Sequence, residues 1–189
     1  VTALLSNPAV PKTYISGETT ISNVDLNGLV ILQDDSELRL DNVVVHGCIV
    51  SATTMSGDSF GTFGGSDAPT LLLEGNVRID GSDALPDLAV LMPDGRIMTG
   101  SNPGRLQIHG DVIAYSMDLG LPGAVGGNCL AVGQMDIDPG IELLGAHRKP
   151  RDWSSQLELG GAWNAEYIAV VPNVPTLDEV DPIVNYWSP

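Results

Sequence analysis

Four copies of one recurring strand motif end in a polar side chain directly before a glycine: Asn27-Gly28, His46-Gly47, Asp80-Gly81 and His109-Gly110. Two imidazoles, a carboxylate and an amide at one recurring position are suggestive, because imidazole nitrogen and carboxylate oxygen are common protein donors to zinc and related ions. Spacing argues the other way. His46 and His109 stand 63 residues apart. With 19 to 20 residues per repeat that is about three coils, or roughly 14 Å, too far to share an ion. Asn, Asp and His are also the side chains most tolerant of left-handed turn geometry, so the column reads as a row of turns.

Other segments carry formal signatures of chemistry. Gly57-Asp58-Ser59-Phe60-Gly61 matches the Gly-x-Ser-x-Gly elbow, in which a strained strand-to-helix turn presents a serine to a histidine base. No helix follows in Thr62-Phe63-Gly64-Gly65-Ser66, so a loop is expected there and not a nucleophile. The acidic pairs Asp34–Asp35 and Asp136–Asp138, and the cluster Asp178, Glu179, Asp181, have the residue type for Ca²⁺ binding or acid–base sugar hydrolysis. Neither the calcium-loop pattern nor the Gly-Gly-x-Gly-x-Asp repeat occurs, and solvated charge is the expected role. Gly123-Ala124-Val125-Gly126-Gly127 lacks the lysine and helix of a phosphate loop and reads as a turn. Cys48 and Cys129 form no Cys-x-x-Cys, which leaves two reduced core thiols as the first reading and one disulfide as the alternative. No catalytic residue and no cofactor is assigned from these patterns.

What positions these side chains is a repeat. Residues 21–28 read Ile-Ser-Asn-Val-Asp-Leu-Asn-Gly and residues 40–47 read Leu-Asp-Asn-Val-Val-Val-His-Gly, an offset of 19. Looser copies follow at 73–81, Leu-Glu-Gly-Asn-Val-Arg-Ile-Asp-Gly, and at 106–110, Leu-Gln-Ile-His-Gly. Apolar residues alternate with polar ones in each copy, the period of a strand with one buried face. A unit of about 20 residues, one short strand and a turn, is a solenoid signature. The sequence therefore predicts an all-β fold, a right-handed parallel β-helix over 13–146 with irregular insertions at 56–69 and 92–104. An extended N-terminal arm over 1–12 and a C-terminal cap or arm over 147–189 flank it. A β-sandwich filament or capsid subunit with extended arms is the alternative fold, since a single alternating strand looks alike in both.

Beyond Lys149 the composition shifts. Trp153, Trp163 and Trp187 are all the tryptophans in the chain, and Tyr167 and Tyr186 join them. A solenoid end exposes apolar core and unpaired strand edges, so the aromatic segment is expected to cap it or to form a subunit interface.

The charge balance bounds the partners. Acidic side chains number 24 against 8 basic ones, a formal net charge of -16. Nucleic-acid binding rests on Lys and Arg neutralising phosphates, so that class is excluded. No apolar run is long enough to span a membrane as a helix. The chain starts at Val1, which reads as a processed or a trimmed terminus. An Asp-rich, Lys-poor surface suits cation-rich or exterior surroundings.

The repeat copies at 21–28, 73–81 and 106–114 resemble those of bacterial β-helix surface and scaffold proteins, among them bactofilins and the repeat domains of type IV pilus-associated proteins. The resemblance spans about residues 20–145 and implies a non-catalytic role. The expectation is thus a structural or adhesive module of an exterior assembly: a cell-surface filament, a pilus-type appendage or a virus particle. Its partners would be further copies of itself or other subunits, at the cell surface or outside it. The alternative is a small polysaccharide-acting lyase or hydrolase with Asp34, Asp35 and Arg39 in one cleft.

Overall fold

Strand registers, read pair by pair, reproduce the repeat found in the sequence. In the computed structural model, which describes residues 7–52, 67–81, 88–131, 133–145 and 147–148, Ile21 pairs with Leu40, Leu40 with Leu73, and Ile79 with Ile108. Those are the positions that align in the repeat copies. The strands run β1 (Lys12–Ile15), β2 (Glu18–Ser22), β3 (Asp25–Leu32), β4 (Glu37–Ser51), β5 (Thr70–Ile79), β6 (Leu88–Thr99) and β7 (Leu106–Ile108). They continue with β8 (Asp111–Leu119), β9 (Gly123–Val125), β10 (Cys129–Ala131), β11 (Met135–Ile137), β12 (Ile141–Leu143) and β13 (His147–Arg148). Among the described residues there is no helix, and every strand pairing is parallel. A sandwich of antiparallel hairpins is not what these strands build.

The pairings fall into three ladders. The first runs through β2, the starts of β4 and β5, the ends of β6 and β8, and β11. The second runs through the start of β3, the middle of β4, the end of β5, and then β7, β9 and β12. The third takes β1, the ends of β3 and β4, the starts of β6 and β8, then β10 and β13. Alternation sends every second side chain inward. Leu38, Leu71, Ile97 and Met117 line up in the first ladder, Val45, Ile79, Ile108 and Val125 in the second, and Val30, Ile49, Val90 and Val112 in the third. All belong to one buried apolar cluster, so the ladders share a single core.

The third ladder is apolar on its other face as well. Leu29, Ile31, Cys48 and Val50 form a second buried cluster, with Val10, Leu88 and Leu91 packed against it. Burial on both faces explains the unbroken runs Leu29-Val30-Ile31-Leu32 and Cys48-Ile49-Val50, which carry no polar alternation. It also settles the cysteines. Cys48 lies in this outer cluster and Cys129 in the main core, and no disulfide joins them.

The turn after the second ladder explains the recurring glycine. A Cβ on Gly47 would sit 1.7 Å from the carbonyl oxygen of Gly28, the residue paired with it in the preceding strand. The backbone corner is packed against backbone, and only hydrogen fits between. The polar residues before these glycines are not the strained ones: among the described non-glycine residues positive φ falls at Asn23, Asp35 and Asn42, whereas Gly28, Gly81 and Gly110 carry it at this corner. The expectation that Asn27, His46, Asp80 and His109 adopt left-handed turns is therefore corrected. Gly28, Gly81 and Gly110 take the positive φ, while Asn27 and His46 lie within β3 and β4, and Asp80 and His109 directly follow β5 and β7.

Steps between paired residues range from 17, as in Leu106–Gly123, to 41, as in Ile49–Val90. The long steps hold the segments expected to be insertions. At 92–104, the Pro93-Asp94-Gly95 signal proves to lie within β6, where the register shifts between Met92 and Arg96. Buried Asp94 accepts a hydrogen bond from Ser51 Oγ at 2.5 Å there. Gly123–Val125, expected as part of a turn, is strand β9, and the turn follows it. Residues 7–10, expected within an extended arm, close a turn in which the Val10 amide donates to the Asn7 carbonyl at 3.3 Å.

Candidate functional site

Outward from the second ladder, the polar column seen in the sequence becomes a hydrogen-bonded stack. His46 lies in the middle of β4, Asp80 follows β5 and His109 follows β7, on three successive ladder positions. Both histidines reach the one carboxylate between them. His46 Nδ1 is 3.0 Å from Asp80 Oδ2, and His109 Nδ1 is 3.0 Å from Asp80 Oδ1. Arg78 Nε donates to Asp80 Oδ1 at 2.5 Å. The expected separation of three coils between His46 and His109 is thus two, because the steps of 34 and 29 residues through Asp80 are single turns lengthened by inserted chain.

An ionised carboxylate only accepts, so both imidazoles must carry their proton on Nδ1, leaving Nε2 as the acceptor of each neutral ring. Burial pushes the Asp80 carboxyl up and is the largest single influence. The hydrogen bonds from Arg78, His109 and His46, with the charge of Arg78, outweigh it and hold the group below the ordinary aspartate value. Asp80 is the inner member, its side chain 19% exposed against 47% for His46 and 54% for His109. No nucleophile joins the stack. Among the described residues, no group of three or more His, Cys, Asp or Glu is arranged to hold a metal ion. The stack ties three turns of chain together.

The first ladder carries a different outer surface. A groove of about 410 Å³ lies across β6, β8 and the residues before β11. Its shape follows from size: Arg96, Ser116 and Gln134 occupy one row, and the serine between two long side chains leaves a hollow. Tyr115 forms one side, its ring against Gly133, where a Cβ would meet the ring at 3.0 Å. Met98 and Asp118, in register with each other, form the other. Asp118 faces Asp136 on β11 and lies near Asp138; burial first, then these two like charges, raise its carboxyl above the ordinary value. The pair Asp136–Asp138 was legible in the sequence, whereas Asp118, Tyr115, Ser116 and Gln134 were not.

The other sequence candidates scatter. Asp34 and Asp35 lie in the turn between β3 and β4, and Arg39 is 3.7 Å from Glu37 Oε1 and 3.7 Å from Glu74 Oε2. The guanidinium answers those glutamates, and the ion pairs it makes are with them. The Cys129 thiol is pushed up to about 12, by burial first and by Asp111 second, so it is a poor nucleophile. Ser59, the cluster Asp178, Glu179, Asp181, and the aromatic interface candidates Trp153, Trp163, Tyr167, Tyr186 and Trp187 lie outside the described residues. Among the described residues, no helix is long and apolar enough to cross a membrane. Comparison of the chain with known protein families, curated proteins and solved structures finds no match.

Proposed function

We propose that the chain is a right-handed parallel β-helix serving as a non-catalytic structural or adhesive module of an exterior assembly, such as a cell-surface filament, a pilus-type appendage or a virus particle. The observation that carries this reading is the open sheet. Among the described strands, β1 and β2 at one end, and β11, β12 and β13 at the other, each have a ladder partner on one side only. Unpaired parallel edges are templates for another strand. A parallel coil with crossover steps of this kind takes the right-handed form by the general preference of such connections. The resemblance of the repeat to bactofilins and pilus-associated domains points the same way.

Homo-oligomers or mixed assemblies with other subunits would satisfy these edges, with Trp153, Trp163, Tyr167, Tyr186 and Trp187 supplying either a cap or an interface. The test is light scattering coupled to gel filtration, over a wide concentration range at low and high salt, with electron microscopy of the largest species. Concentration-dependent oligomers or filaments are expected. A strict monomer under every condition overturns the assembly reading.

A further inference from the structure

We propose that the groove on the first ladder is a binding subsite for a neutral glycan chain. The inference deepens the adhesive side of the proposed function and does not depend on assembly.

The volume, about 410 Å³, falls in the range of small-ligand sites and is too small to seat a protein partner by itself. The lining names the ligand chemistry. Tyr115 brings an aromatic ring to one wall of the groove, the kind of group against which the C–H side of a sugar packs. Arg96 donates, Asp118 accepts, and Ser116 and Gln134 do both, which suits a ligand that presents hydroxyls as donors and acceptors in every direction. Met98, 39% exposed, adds an apolar contact.

Charge narrows the class further. Within the lining, Arg96 and Asp118 offset each other. Asp136 and Asp138 next to Asp118 then make the local field negative, on a chain of net charge -16. A uronate or sulfated polymer would be repelled. The groove crosses ladder rows from β6 through β8 to the residues before β11, so a bound chain would lie along the stacking direction, at roughly 4.8 Å per turn. Successive sugars would meet successive turns.

The test uses the full chain and soluble hexasaccharides: cellohexaose, mannohexaose and chitohexaose as neutral probes, and hexagalacturonate as the acidic one. Binding is read by titration with ligand-observed and amide NMR. At least one neutral probe is expected to bind saturably, with shifts centred on Tyr115 and Gln134. Tyr115→Ala should weaken it about tenfold through loss of the ring platform. Ser116→Trp, which fills the hollow, should abolish it. Far-UV circular dichroism and light scattering check that both variants keep the fold and oligomeric state of the parent; Gln134→Ala, which leaves the backbone corner untouched, serves if either does not. The proposal is overturned if no neutral probe binds saturably, if the variants bind like the parent, or if hexagalacturonate binds as tightly. Assembly is scored separately by light scattering, so failure of the groove and failure of the assembly reading give different results.

Discussion

Replacing Gly47 with alanine tests the stacking on which every functional statement rests. The added Cβ falls 1.7 Å from the Gly28 carbonyl oxygen, 2.6 Å from its carbon and 3.0 Å from its nitrogen. All three are backbone atoms of the strand paired with Gly47, so no side-chain rotation relieves the overlap. The approach is half the 3.4 Å at which ordinary contact begins, and the two strands have to separate locally. Overpacking of this kind costs about 1–3 kcal/mol, and a ladder hydrogen bond lost beside it adds about 1 kcal/mol. We expect Gly47→Ala to lose about 3 kcal/mol, and the melting midpoint to fall by roughly 6–12 °C for a chain of this size. Urea unfolding followed by far-UV circular dichroism measures it. Gly140→Ala is the control, because the nearest atom to its Cβ is Pro122 Cβ at 3.4 Å; it should change stability by less than about 0.5 kcal/mol. Equal effects of the two substitutions would refute the close-packed corner.

Two further outcomes follow from the carboxylates. The Asp80 carboxyl is held below its ordinary 3.8 when folded, so it stabilises the fold above the unfolded value, and that contribution is lost as pH falls through the folded one. Asp80→Asn should lower stability near neutral pH by about 1 kcal/mol, its donors being half-exposed, and the difference from the parent should vanish in acid; urea midpoints from neutral pH down to about 3 measure this. Asp118 has the opposite shift, with Asp136 as the larger of its two charged causes. Asp136→Asn should bring the Asp118 titration down toward its ordinary value, read by carboxyl NMR, and should shrink the gain in melting temperature on adding salt; an unchanged titration refutes the in-register placement of the two groups.

The ladders were legible because the repeat copies are the register itself. Aligning Ile21 with Leu40 by sequence matched the strand pairing residue for residue, and alternation told inside from outside along β4 and β5. Between Leu40 and Leu73 the copy at 73–81 carries one extra residue, which appears as the register shift between Asp41 and Val43. Turn number was less legible, because a residue count assumes an even period. The lengthened steps around Asp80 bring His46 and His109 a turn closer than their separation suggested. The groove was illegible for a different reason. Arg96, Ser116 and Gln134 have nothing in common as a pattern, and what makes them a site is the small side chain between two long ones in one row. Size differences along a ladder are invisible until the register is known.

Parallel in-register stacking also gives the net charge a structural meaning. Each side chain's neighbour is its own counterpart one turn away, about 4.8 Å off, so acids that recur in the repeat are forced next to one another. Glu18 pairs with Glu37, Asp41 with Glu74, and Asp118 with Asp136. Like charges directly across a ladder are destabilising. The chain answers part of this locally: Arg39 lies between Glu37 and Glu74, and the Asn42 amide donates to Asp41 Oδ1 at 2.9 Å. In the row of Asp118 and Asp136 the arginine is Arg39 itself, three pairings away from Asp118, and beside burial the two neighbouring like charges leave the Asp118 carboxyl raised. With 8 basic residues against 24 acidic ones, the remaining repulsion has to be met by ions from solution. Screening shortens from about 30 Å at 0.01 M salt to about 3 Å at 1 M, below the spacing of adjacent turns. A coil built this way is better adapted to cation-rich surroundings than to dilute ones, and this is the physical link between its composition and the exterior setting proposed for it.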